Sequence, residues 1–178
     1  MFTRRAVLLG SVSIAVASAG CTEGGLEDVQ ETVLGTEDRG EIVGVYDRGI
    51  GQLNDGNETR DAGIIAFNEE RYRDSIESLE TSIEHYADAT DSFREAETMA
   101  EEAGVPPAAG ICDEAARHAE LMRESTVEAR EGASAAESGD EPAEINGRIE
   151  ASQEMQAEAN ELTVSDPEAL LDILEARE

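Results

Sequence analysis

Apolar residues return through the middle of the chain in steps of four and three: Tyr72, Ile76, Leu79, Ile83, Tyr86, Thr90 and Phe93. Such steps keep side chains on one face of an α-helix. Within that face Tyr72, Leu79, Tyr86, Phe93 and Ala100 recur every seven residues, the seam of a helix lying lengthwise on its neighbours. Further on the same rhythm is carried by small residues: Ala108, Cys112, Ala115, Ala119, Met122, Thr126, Ala129, Ala133 and Ala136. An alanine seam lets helix axes approach toward the short end of the usual range of about 8–10 Å. The bulky stripe and the thin one are therefore candidate partners. No strand-like alternation survives counting.

Breaks between these segments fall at NDGN (54–57), EERY (69–72), AGVPPAAG (103–110), SGDEP (138–142) and VSDPE (164–168), each with Gly, Pro or capping residues except EERY. Gly104 and Gly139 stand where helix C-terminal glycines belong, and Pro142 and Pro167 stand just inside the next helices. Asp140 and Ser165 are the expected N-caps, Ser165 with Glu168 fitting a capping box. The pattern predicts an all-α fold, an antiparallel bundle of about five helices plus a short C-terminal one. The helices fall near 26–54, 57–70, 72–103, 107–137, 141–163 and 166–176. The first is the weakest, because Gly35, Gly40, Gly44, Gly49 and Gly51 each cost about 1 kcal/mol relative to alanine in a helix interior.

The N-terminus follows another logic. Arg4 and Arg5 precede an uncharged run from Ala6 to Gly20, shorter than the roughly 20 residues that span a hydrocarbon core. A charged start, a short apolar middle and a small-residue end make an export leader. TRRAVLL resembles the twin-arginine signal for proteins exported folded, and SAGC resembles a lipobox. The resemblance implies cleavage before Cys21, lipid on its thiol, and attachment to the membrane through that lipid. An uncleaved anchor and a cleaved leader without lipid are the competing readings. The expected organisation is a leader at 1–20, a lipidated tether at 21–36 and an acidic bundle at 37–178, held at the outer face of the cell membrane.

Composition sharpens the picture. Without residues 1–20, eleven arginines face 42 acids, a formal charge of 11 − 42 = −31, and lysine is absent. Self-repulsion of that size is severe in dilute buffer. At about 1 M salt the screening length falls to roughly 3 Å and the repulsion largely vanishes. Acid-rich, lysine-free composition resembles that of proteins from extremely halophilic archaea. Because acids are spread rather than blocked, they read as a solvated surface, not a tail gripping a basic partner. Nucleic acid is excluded as a partner, since phosphate contacts need clustered Lys and Arg. Leu, Ile, Val and Phe supply only 28 of the last 158 residues, a disorder warning that the helical periodicity and 22 alanines outweigh.

IAFNEERYRDSIESLETSI (65–83) resembles one helix-turn-helix of a tetratricopeptide repeat. Phe67 and Tyr72 match its aromatic positions around the turn, Ser75 its small residue and Ile76 its aliphatic. Glu70 stands where the repeat carries glycine. No second copy follows at a spacing of about 34 residues, so an array is not implied.

Candidate chemistry is sparse. His85 and His118 lack the Glu three residues earlier that a di-metal bundle site uses. Glu114 and His118 share a helix face but make two ligands, too few for a metal. Cys112, on the alanine seam and flanked by acids, reads as a packed apolar residue. No nucleophile, phosphate-binding or nicotinamide motif is present. The expectation is a non-catalytic chain without cofactor or metal, its body an interaction or scaffold module for another cell-surface protein. The surface around Phe67 and Tyr72 is the candidate contact. The alternative is a binding module for a small cationic solute or divalent ion.

Overall fold

The computed structural model describes residues 35–176. They form α1 (Thr36–Asn68), α2 (Tyr72–Glu102), α3 (Pro106–Ser138), α4 (Pro142–Ala159) and α5 (Pro167–Glu175). The all-α bundle with a short C-terminal helix is the fold the chain adopts. Cys21, Arg4 and Arg5 lie outside the described residues.

The expected break at NDGN does not occur. α1 runs through it as one helix of 33 residues, and the glycines counted against it explain why. Gly49, Gly56 and Gly63 are seven residues apart and face α2, where Phe93, Tyr86 and Leu79 are spaced equally in the opposite direction. A Cβ added at these glycines would lie 2.7 Å from Phe93, 2.8 Å from Tyr86 and 2.7 Å from Leu79. Each glycine is thus a hole for one bulky knob. The Ser82 hydroxyl donates to the Gly56 carbonyl at 2.8 Å, a contact that only closely approaching backbones permit. Helix propensity loses here to packing.

The seam of α2 also differs in one stripe. Leu79, Tyr86, Phe93 and Ala100 are buried as expected, but their companions are Ser75, Ser82, Ala89 and Ala96. Ile76, Ile83 and Thr90 are only half-buried. Small residues win the interior because α2 is pressed between α1 and α3. The alanine seam of α3 is buried from Ala108 to Ala133, with Ala136 half-exposed. Leu79 clusters with Ala129 and Ala133, so the bulky stripe meets alanines of α3 as well as glycines of α1.

Three of the turns share one geometry. After α1, Arg71 N–H donates to Ala66 O and Glu70 N–H to Phe67 O; after α2 and α3 the same pair of bonds runs from Val105 and Gly104, and from Asp140 and Gly139. This is the Schellman stop, which needs a left-handed residue. Gly104 (φ 69°), Gly139 (φ 76°) and Glu70 (φ 60°) supply it. α4 and α5 start one residue later than expected, with Glu141 and Asp166 rather than Asp140 and Ser165 at the N-cap positions, neither side chain bonding the helix end, and prolines in their first turns.

Candidate functional site

α4 packs along α3 alone, and no Cα of α4 comes within 8 Å of one in α1. Among the described residues α1 and α4 are therefore separated by a wider seam that side chains fill. Its lower end is covered by the linker between α4 and α5, which three side chains pin down. Tyr46 Oη donates to Ser165 O at 2.8 Å, Thr163 N–H donates to Glu114 Oε1 at 2.9 Å, and His118 Nδ1 lies 2.9 Å from Ala159 O. For that last pair to bond, the imidazole must carry its proton on Nδ1. α5 then buries Leu170 and Leu174 in the main core.

Under the strap lies a cleft of about 370 Å³ lined by Ile50, Leu53 and Asn54 of α1, His118 of α3, and linker residues that include Asn160 and Val164. Above it the seam is polar. Arg60, only 7% exposed, crosses from α1 toward α3 and α4. Its Nη2 donates to Ser125 Oγ at 3.4 Å and Gln156 Oε1 at 3.2 Å. Ser125 Oγ in turn donates to Ser152 O at 2.7 Å. Sequence reasoning missed this arginine. Its signal was its register, since Arg60 falls on the seven-residue stripe of Tyr46, Leu53 and Phe67.

The predicted contact residues do come together. The Phe67 and Tyr72 rings face each other across the α1–α2 turn, with centroids 5.7 Å apart and planes at 60°. Both are half-buried, and Ser75 is fully buried against α1. The exposed guanidinium of Arg71 forks beside them to Glu69 and Asp74. Among the described residues, Ile65 in the same turn of α1 is the one large apolar side chain left exposed, at 55%.

A second cleft, of about 450 Å³, has the carboxylates Glu97, Glu101 and Asp113 in its wall. Arg94 already binds two of them, Glu97 at 2.7 Å and Asp113 at 2.6 Å. Among the described residues no three His, Cys, Asp or Glu side chains converge as metal ligands.

The buried nucleophilic groups are held neutral. Burial, with Glu97 adding to it, pushes the Cys112 thiol up to about 12. Burial likewise raises the Tyr86 phenol to about 12, against the opposing charge of Arg60. Tyr86 Oη donates to Asn57 Oδ1 at 2.7 Å. A thiol so raised is almost wholly protonated at neutral pH and is a poor nucleophile. Compared with known family models, curated proteins and solved structures, the chain finds no match.

Proposed function

We propose that the chain is an exported lipoprotein, attached to the outer face of the cell membrane through lipid on Cys21, whose helical body is a non-catalytic interaction or scaffold module. The twin-arginine and lipobox resemblance of residues 3–21 supports the placement. The carboxylate-coated, lysine-free body fits a partner met in concentrated salt, where short-range contacts replace long-range attraction. The observation that carries the module reading is the Phe67–Tyr72 ring pair at the α1–α2 turn. There an aromatic edge and Ile65 interrupt an otherwise charged surface. Aromatic side chains are enriched where protein partners anchor.

The tetratricopeptide-like hairpin belongs to the same reading. Its left-handed turn residue is Glu70, at the position where such a repeat has glycine. The cation-binding alternative rests on the cleft at Glu97, Glu101 and Asp113, and Arg94 weakens it by occupying two of the three carboxylates.

Two measurements test the proposal. Mass spectrometry of the mature N-terminus, with membrane fractionation, is expected to find a lipid-modified Cys21 in the membrane; recovery of the unprocessed chain in the cytosol overturns the placement. A pull-down from membranes in molar salt is expected to yield a stoichiometric protein that Tyr72→Ser loses. An identical yield from the variant removes the turn as the contact.

A further inference from the structure

The helix row that packs on α3 is broken. α4 has 18 residues against the 33 of α3, and it ends where Ala159 O meets His118, short of the first turns of α3. α5 takes up the row further along, with Leu170 and Leu174 in the core beside α1 and α3. The linker crosses the gap between the two helices, and the cleft of about 370 Å³ lies there. That volume is near the lower end of the usual range for ligand sites, about 300–1,000 Å³. The cleft offers two kinds of surface: apolar wall from Ile50, Leu53 and Val164, and acceptors from His118 and Asp166. His118 Nδ1 is committed to Ala159 O, which in a neutral ring leaves Nε2 as an acceptor. Nε2 has no bonding partner among the described residues and is not closed off from solvent.

The Asp166 carboxylate stands at the N-cap position of α5 yet bonds no helix N–H, and among the described residues it joins no ion pair. Its full negative charge outweighs the roughly half charge of the helix end behind it. Burial first, and then charges that include Asp166 and Glu114, push the Tyr46 phenol up, so negative potential reaches under the linker. No arginine lines the cleft, which disfavours an anion. A bare metal ion would want a third ligand, and among the described residues no three converge. We propose that the break between α4 and α5 binds a small organic monocation, a primary ammonium on a short aliphatic body. The ammonium donates to His118 Nε2 and pairs with Asp166, while the alkyl part lies on Ile50, Leu53 and Val164. In concentrated salt the pairing is screened, so the hydrogen bond and the apolar wall carry most of the affinity. The site is separate from the acidic cleft at Glu97 and independent of the lipoprotein reading.

Isopentylammonium chloride is the probe, titrated into the full chain in molar potassium chloride, in buffer alkaline enough to keep imidazoles neutral. NMR of the histidine rings reads the binding, and His85, on α2 and outside the cleft, is the internal control. A saturable shift of the His118 signals with His85 unmoved is expected. No shift, or equal shifts of both rings, overturns the proposal. Isopentanol has the same body without the charge, and isopentyltrimethylammonium has the charge without an N–H. Each should bind at least about fivefold more weakly than the amine; equal affinity of either overturns the proposal. Asp166→Asn changes an exposed side chain that bonds nothing in the fold. It should weaken the amine about two- to fivefold and leave the alcohol unchanged. An amine that binds variant and wild type alike overturns the proposal.

Discussion

α1 faces α2 and α4 across two seams built on opposite principles. Toward α2 it offers holes, Gly49, Gly56 and Gly63, and takes Phe93, Tyr86 and Leu79 into them. Toward α4 its backbone makes no close approach, and Arg60 bridges the gap to Gln156 by one long polar contact. A seam closed by shape excludes charge and water. One spanned by polar side chains can instead keep a charge inside, as Arg60 does. The comparison also explains why so acidic a body holds together: its closed seams need no salt bridge, and its interhelical arginine pairs, such as Arg48–Glu95, are exposed and contribute little.

The largest expected effect comes from emptying a hole's occupant. Phe93 fills the Gly49 hole and touches the Tyr46 ring, centroids 5.1 Å apart. Phe93→Ala should cost about 3–5 kcal/mol in denaturant unfolding at high salt. Gln156→Ala, its counterpart between α1 and α4, removes one acceptor of the buried Arg60 guanidinium and should cost less, about 1.5–3 kcal/mol. Comparable losses in the two would erase the distinction.

A second test uses protons. The closed interior keeps Cys112 and Tyr86 neutral, each raised to about 12 by burial. In the unfolded chain a thiol titrates near 8.5 and a phenol near 10. The folded state thus binds more protons over this window. Stability from these groups is complete below about pH 8.5 and is lost as pH rises toward 12, by up to about 1.4 kcal/mol per unit for each group. Denaturant titrations should show the decline, and Cys112→Ala should delay its onset to near pH 10.

Gly56→Ala comes next. The added methyl meets the Tyr86 ring at 2.8 Å, and the ring is tied to Asn57 and cannot retreat. Overpacking of about 1–3 kcal/mol against a helix gain of about 1 predicts a net loss of up to about 2 kcal/mol. Gly51, with nothing within 4 Å of an added Cβ, is the control, and Gly51→Ala should stabilise by about 0.5–1 kcal/mol. Loss at both positions would mean that α1 needs its glycines for something other than holes.

That pair of glycines also marks where the sequence was legible. The stripe of α2, the seam of α3, the stops at Gly104 and Gly139 and the prolines opening α4 and α5 all follow from local pattern. Gly56 within NDGN does not, because a glycine flanked by Asp and Asn is turn chemistry until its neighbour is known. Its register with Gly49 and Gly63 was visible, but only its match to Tyr86 gives that register meaning. Ser82 failed the same way: ranking residues by hydrophobicity puts Ile83 inside, whereas at Ser82 the α1 backbone lies so close that a small side chain is what fits. Of the candidate sites, the Phe67–Tyr72 turn could be read from neighbouring residues. Arg60 was marked only by its register with Tyr46, Leu53 and Phe67, which gains meaning once α3 and α4 are in place.

The smallest effect concerns the turn that closes the α1–α2 seam. Glu70 stands at φ 60°, left-handed, in the same hydrogen-bonded stop that Gly104 and Gly139 serve elsewhere. A side chain there costs about 1–2 kcal/mol in local sterics, and the carboxylate adds negative charge at the C-terminal, already negative, end of α1. Glycine removes both penalties but gives the unfolded chain more freedom, worth about 0.5–1 kcal/mol. Glu70→Gly should therefore stabilise by about 0.5–1 kcal/mol. The same change at Glu69, whose φ is −91°, should not. If Glu70→Gly also leaves the pull-down partner of Tyr72 unchanged, the glutamate is a tolerated strain in the hairpin; if the partner is lost, its carboxylate is part of the contact.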